Sequence, residues 1–94
     1  MSEWMFLTNH AQVLILLAAR PKITARDLST QIGITERSVR NIIADLEAEG
    51  YIEKVKEGRR LSYKIHPELS FRHPAQKDQS VKTLLKALGC KLTN

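Results

Sequence analysis

Arg37, Ser38, Arg40 and Asn41 fall within five consecutive positions of the segment ERSVRNIIADLEAEG, and their side chains are suited to holding or reading a polyanion. An arginine fork pairs the two acceptors of guanine, asparagine pairs the donor and acceptor of adenine, and serine serves either a base or a phosphate. Such work requires one shared, exposed face. On a helix of about 100° per residue, Ile42, Ile43 and Leu46 lie within about 60° of Val39, which defines a buried stripe. Arg37, Asn41 and Ala44 then lie opposite, flanked by Ser38 and Arg40.

The charge order along this helix runs against its dipole. Arg37 and Arg40 stand in the first two turns, whereas Asp45, Glu47 and Glu49 stand near the end, an arrangement disfavoured by about 0.3 kcal/mol or more per charge. An anion held outside the N-terminal half offsets that. The local alternative is a Glu36–Arg40 pair at i,i+4, worth about 0.3 kcal/mol, with the remaining charges solvated. A second basic group lies downstream: residues 54–64 contain Lys54, Lys56, Arg59, Arg60 and Lys64 against Glu57 alone. Lys56, Arg59 and Arg60 at a hairpin tip suit phosphate or a narrow minor groove. Thr24 and Arg26, at the start of another helix, add a hydroxyl and a guanidinium for phosphate, although Thr24 also has work as a helix cap.

These side chains need elements to position them. The first helix is expected over residues 9–19, capped by Thr8 or Asn9 and stopped ahead of Pro21. Val13, Leu14, Ile15, Leu16 and Leu17 are consecutive, so this helix is apolar on every side and must be covered on more than one. Ile23 is read as a short strand. Thr24 caps the second helix, with Asp27 in its first turn and Ile23 and Leu28 as a hydrophobic staple; Leu28 and Ile32 face inward and Gly33 ends the helix. The pattern recurs at once, with Thr35 as cap and Ile34 and Val39 as the second staple. Two stapled caps eleven residues apart, with a glycine between them, specify a helix-turn-helix far better than either alone. After Gly50, residues 51–55 and 61–65 alternate like half-exposed strands joined by a five-residue basic loop. His66-Pro67 ends the hairpin, residues 67–77 read as an extended connector with His73-Pro74 near its end, and a last amphipathic helix spans residues 78–88 before Gly89.

Composition bounds the function. Ninety-four residues with 43% hydrophobic content support one modest core rather than an enzyme-sized cleft. The formal net charge of +5 favours an anionic partner. Cys90 is the single cysteine, so no internal disulfide forms and a reducing, cytoplasmic setting is expected. The longest apolar run, at residues 13–19, is far shorter than the ~20 residues a membrane span takes, and neither a membrane partner nor a signal peptide is expected. Catalysis finds no clustered acids, phosphate loop or nucleophile grouping. His10, His66 and His73 are scattered, so no metal and no cofactor are expected.

With these residues in place, the chain resembles a known family. Gly33, Ile34, Val39 and Ile42, the run Leu46-Glu47-Ala48-Glu49-Gly50-Tyr51-Ile52 and the Gly58-Arg59-Arg60 tip look like winged helix-turn-helix transcriptional regulators of the MarR and ArsR types, over residues 8–66. The resemblance implies that the helix from residue 36 enters the major groove, that the wing touches the backbone or minor groove, and that terminal helices pair two subunits. It implicates Thr35, Arg37, Ser38, Arg40 and Asn41 in the groove and Arg59 and Arg60 in the wing. Ser29 replaces the usual alanine of the turn. The Cys and His clusters of metal-sensing members are missing, and so are the long flanking dimer helices.

The expected fold is therefore mainly α with a small β-hairpin wing: a winged helix-turn-helix over residues 8–66, a connector over 67–77 and a C-terminal helix over 78–89. The expected function is sequence-specific double-stranded DNA binding by a cytoplasmic transcriptional regulator, a dimeric repressor, with any small-molecule effector unspecified. The homodimer seam is assigned to Trp4, Phe6, Leu7, Val81, Leu84, Leu85 and Leu88. The rival reading is a winged-helix protein-interaction module. RNA binding ranks lower, because an aromatic fraction of 5% offers no stacking platform.

Overall fold

The computed structural model describes residues 7–71, 74–76 and 78–89. Three helices come first, α1 (Asn9–Ala19), α2 (Ala25–Ile32) and α3 (Glu36–Ala48), followed by strands β1 (Ile52–Glu57) and β2 (Arg60–Ile65), a 3-10 turn at Pro74–Gln76 and a short helix α4 (Val81–Ala87). The first three helices start the same way. Thr8, Thr24 and Thr35 each hold extended backbone and accept a hydrogen bond from an amide three residues on, at 3.2, 3.1 and 3.1 Å. Each bond satisfies one amide that the first helical turn cannot pair, at a typical gain of about 1 kcal/mol.

Gly33 makes the turn between α2 and α3. Its φ of 86° is left-handed, and the amides of Gly33 and Ile34 both donate to the Ser29 carbonyl. A side chain at that φ is strained, so glycine is what allows α3 to follow α2 so abruptly. The interior face of α3 is the one its periodicity defines: Val39, Ile42, Ile43 and Leu46 are buried. They meet Val13, Leu14 and Leu17 of α1, Leu28 of α2, and Ile23, Tyr51, Ile52, Val81 and Leu85 in one core. Ile15, Leu16 and Ala18 of α1 pack against its edge, so the apolar run of residues 13–17 is covered on several sides by its own chain. Ile32 is likewise only partly buried.

The hairpin pairs antiparallel from Ile52↔Ile65 to Glu57↔Arg60. Its strands are longer than the alternation suggests, and Gly58 and Arg59 alone form the turn. Gly58 has φ 62° while Arg59 has none of the positive kind, the sign pattern of a type II′ turn, whose twist matches that of the strands. Lys56 and Arg60 thus belong to strands. Ile23 forms no strand: its amide closes a turn onto the Arg20 carbonyl at 3.0 Å, and the wing reaches this corner through one bond, from the Tyr63 amide to the Pro21 carbonyl at 3.0 Å. Pro21 has no amide to return a second bond.

The C-terminal part departs furthest from expectation. Over its described residues 67–71, the connector turns rather than running straight on. It bridges back, Ser70 to Ser80, and donates and accepts around the start of α4: Val81 to the Leu69 carbonyl at 2.8 Å, Lys82 to Pro67 at 2.7 Å and Phe71 to Gln79 at 3.1 Å. The Tyr51 hydroxyl donates to the Ser70 carbonyl at 2.7 Å. Backbone at residues 78–80 is consumed in this bridge and turn, so the helix begins at Val81.

Candidate nucleic-acid interface

The outer face of α3 presents Arg37, Arg40 and Asn41 to solvent. Thr35 and Ser38 are occupied with each other at its start: Thr35 Oγ1 accepts from the Ser38 amide and donates to Ser38 Oγ at 3.0 Å. Ser38 keeps its own hydroxyl proton for an acceptor outside. Arg40 leans back toward Glu36, with Nη2 to Oε2 at 3.4 Å, an exposed pair worth well under 1 kcal/mol that a stronger anion displaces.

Two acids late in α3 are paired. Asp45 Oδ2 meets His10 Nε2 of α1 at 2.8 Å, and Glu47 Oε1 lies 3.9 Å from Lys54 Nζ of β1. These partners offset the adverse order of charges along the helix, leaving Arg37 and Asn41 on a face without those two carboxylates.

Between α3 and the wing runs a cleft of about 670 Å³, lined by Lys22, Thr24, Arg40, Glu47, Lys54, Arg59, Arg60, Leu61 and Tyr63 among others. It unites four of the residues singled out from sequence: Thr24, Arg40, Arg59 and Arg60. Arg37, Ser38 and Asn41 lie beyond it on α3, and Arg26 and Lys56 are exposed but do not line it. Lys22, Glu47 and Tyr63 were missed, and Lys54, counted in the basic group, was given no role of its own. A signal existed for two of them, because Lys54 and Tyr63 are cross-strand partners two positions from the Ile52–Ile65 pair, and side chains two apart share a face. Burial pushes the Tyr63 phenol above its usual value of 10.0, the Glu47 carboxylate pushes it further and the Arg40 guanidinium opposes both. The phenol therefore stays a neutral donor throughout the physiological range.

The proposed dimer residues divide. Val81 and Leu85 are 1% and 0% exposed within this single chain, so their burial needs no second subunit. They are corrected from seam to core, the reason being that the fold-back of residues 67–71 brings Val81 and Leu85 of α4 into the common core. Leu88 remains 47% exposed. Leu7 and Leu84 are half-buried along a second cleft of about 650 Å³, which also touches Leu14, Leu46, Tyr51 and Phe71. Trp4, Phe6, His73 and Cys90 lie outside the described residues. Among the described residues, no three of His, Cys, Asp and Glu come together as metal ligands, and no helix is long and apolar enough to cross a membrane.

Comparison with known proteins agrees with this geometry. A family model described as an HTH domain matches residues 9–60. No curated protein matches the chain. Among solved structures, the crystal structure of the zinc-dependent MarR family transcriptional regulator AdcR, in its Zn(II)-bound state, is similar with a TM-score of 0.51 at 25% identity. The match covers 70% of this chain and 47% of that one, so the chain spans about half the length of that regulator. Fold and matches together support a winged helix-turn-helix of the transcriptional-regulator type.

Proposed function

This chain belongs to the HTH domain family, and we propose that it is a sequence-specific double-stranded DNA-binding transcriptional regulator, acting in the cytoplasm as a homodimeric repressor. One observation carries the reading: Arg37 and Asn41 stand exposed on the outer face of α3, beside a wing whose Arg59 and Arg60 border the same helix across a cationic cleft. A helix of this kind enters the major groove with its N-terminal residues at the base edges. Arg37 and Asn41 read bases, Ser38 and Arg40 contact bases or backbone, and Thr24, Arg26, Thr35, Lys56, Arg59 and Arg60 hold phosphate or the minor groove. Similarity to a MarR family transcriptional regulator supports the regulator reading.

The dimer places two copies of α3 about 34 Å apart, one turn of B-DNA, and repression follows from occupying the site against polymerase. Its seam draws on the apolar groups that the chain leaves exposed or partly exposed, Leu88, Leu84 and Leu7, with Trp4 and Phe6 upstream. Selection of bound sequences from a random duplex pool tests the whole reading. A recovered site with two-fold symmetry and half-sites about 10 base pairs apart is the expected result. Recovery of no preferred sequence refutes specific recognition, and an asymmetric single site refutes the dimer.

A further inference from the structure

Glu47 is the one acid among the described residues lining a cleft that otherwise gathers Lys22, Arg40, Lys54, Arg59 and Arg60. Its side chain is only 34% exposed, and its carboxylate lies 3.9 Å from the Lys54 ammonium. It acts on its surroundings: with Arg40 it sets opposing electrostatic pulls on the Tyr63 phenol. The cleft also has a definite place relative to DNA. If α3 occupies a major groove and the wing the adjoining minor groove, the wall between those grooves is one sugar-phosphate strand, and that strand runs along this cleft.

We infer that Glu47 is an intramolecular rival of DNA phosphate, occupying Lys54 in the free protein and setting a ceiling on duplex affinity. The inference rests on the DNA-binding reading above. Lys54 contributes to phosphate binding only after leaving Glu47, and a carboxylate left beside the strand repels it. The consequence falls hardest on random DNA, whose binding comes almost entirely from phosphate contacts. Complexes that also have base contacts from Arg37 and Asn41 tolerate the same penalty and remain occupied.

The test is Glu47→Gln, which keeps the shape and removes the charge, titrated against a duplex of unrelated sequence at several salt concentrations. Binding about three- to tenfold tighter at low salt is expected, with a salt slope steeper by about 0.9, the increment for one more phosphate neutralised. Adding Lys54→Gln to that variant returns the slope to the wild-type value. Inorganic pyrophosphate provides a readout without DNA: it raises the melting temperature of Glu47→Gln more than that of the wild type. If Glu47→Gln melts like the wild type yet gains neither duplex affinity nor pyrophosphate stabilisation, the rivalry is refuted. Greater pyrophosphate stabilisation of Glu47→Gln without duplex binding by either protein sinks the DNA reading, and with it the ceiling on duplex affinity, and leaves only a competition between Glu47 and phosphate anions for Lys54.

Discussion

Leu85 decides whether α4 belongs to the core of one chain or to a seam between two. Its side chain is 0% exposed, and Leu85→Ala deletes three carbon atoms from that site. At about 0.8 kcal/mol per buried methylene, the transfer loss is about 2.4 kcal/mol, and the residual cavity raises it to about 3 kcal/mol. For a domain near this size the melting temperature then falls by roughly 12–24 °C. Leu88, one turn along and 47% exposed, serves as the control, and Leu88→Ala should cost less than about 1 kcal/mol in the fold itself. The assay is urea unfolding followed by circular dichroism at protein concentrations spanning two decades. Packing in one chain makes the Leu85→Ala loss the same at every concentration, whereas a seam makes it concentration-dependent. A loss under about 1 kcal/mol, or one that shrinks as protein is concentrated, refutes the placement of α4 described above.

Replacing Asn41 or Arg37 by alanine should relax base discrimination by about 1–3 kcal/mol at particular positions, measured by competition between selected and point-altered duplexes; unchanged discrimination moves that residue to a backbone role. The pair Arg59→Ala and Arg60→Ala should flatten the salt slope by up to about 1.8 while leaving the preferred sequence intact. Thr35→Ala removes the cap of α3, and a loss of about 1 kcal/mol in chemical denaturation is expected, together with weaker duplex binding. The raised Tyr63 pKa has a sign: the folded state favours the neutral phenol, so its contribution is full below pH 10.0 and declines as pH rises through the folded pKa. Glu47→Gln should lower that pKa and Arg40→Ala should raise it, read from the Tyr63 ring-carbon shift in an NMR titration.

Much of this protein is local physics, and local physics is legible in residue order. Threonines at positions 8, 24 and 35 cap helices because an extended residue with a hydroxyl can reach the amide three positions on, whatever the rest of the chain does. Gly33 turns because it lacks a Cβ, and the spacing of Val39, Ile42, Ile43 and Leu46 defines both the buried and the outward face of α3. The faces bearing Arg37 and Asn41 follow from the same geometry. The wing was legible as a hairpin, but its turn was too long in that reading: alternation does not mark where pairing ends, and strand pairing extends through the charged Lys56, Glu57 and Arg60.

Tertiary structure decided which partner each face meets. A helix with Val81, Leu84, Leu85 and Leu88 announces an apolar stripe, but the pattern is the same whether the stripe packs on its own chain or on another copy. The fold-back of residues 67–71, secured by backbone bonds that no side-chain pattern records, sends Val81 and Leu85 into the core. The cationic cleft is likewise non-local, since Lys22, Glu47 and Lys54 meet only when α3 and the wing close on the corner at Pro21. Periodicity follows from bonds between near neighbours, and so the sequence by itself determined the elements and their faces; contact between distant segments depends on how loops direct those faces, and that only the assembled fold decided.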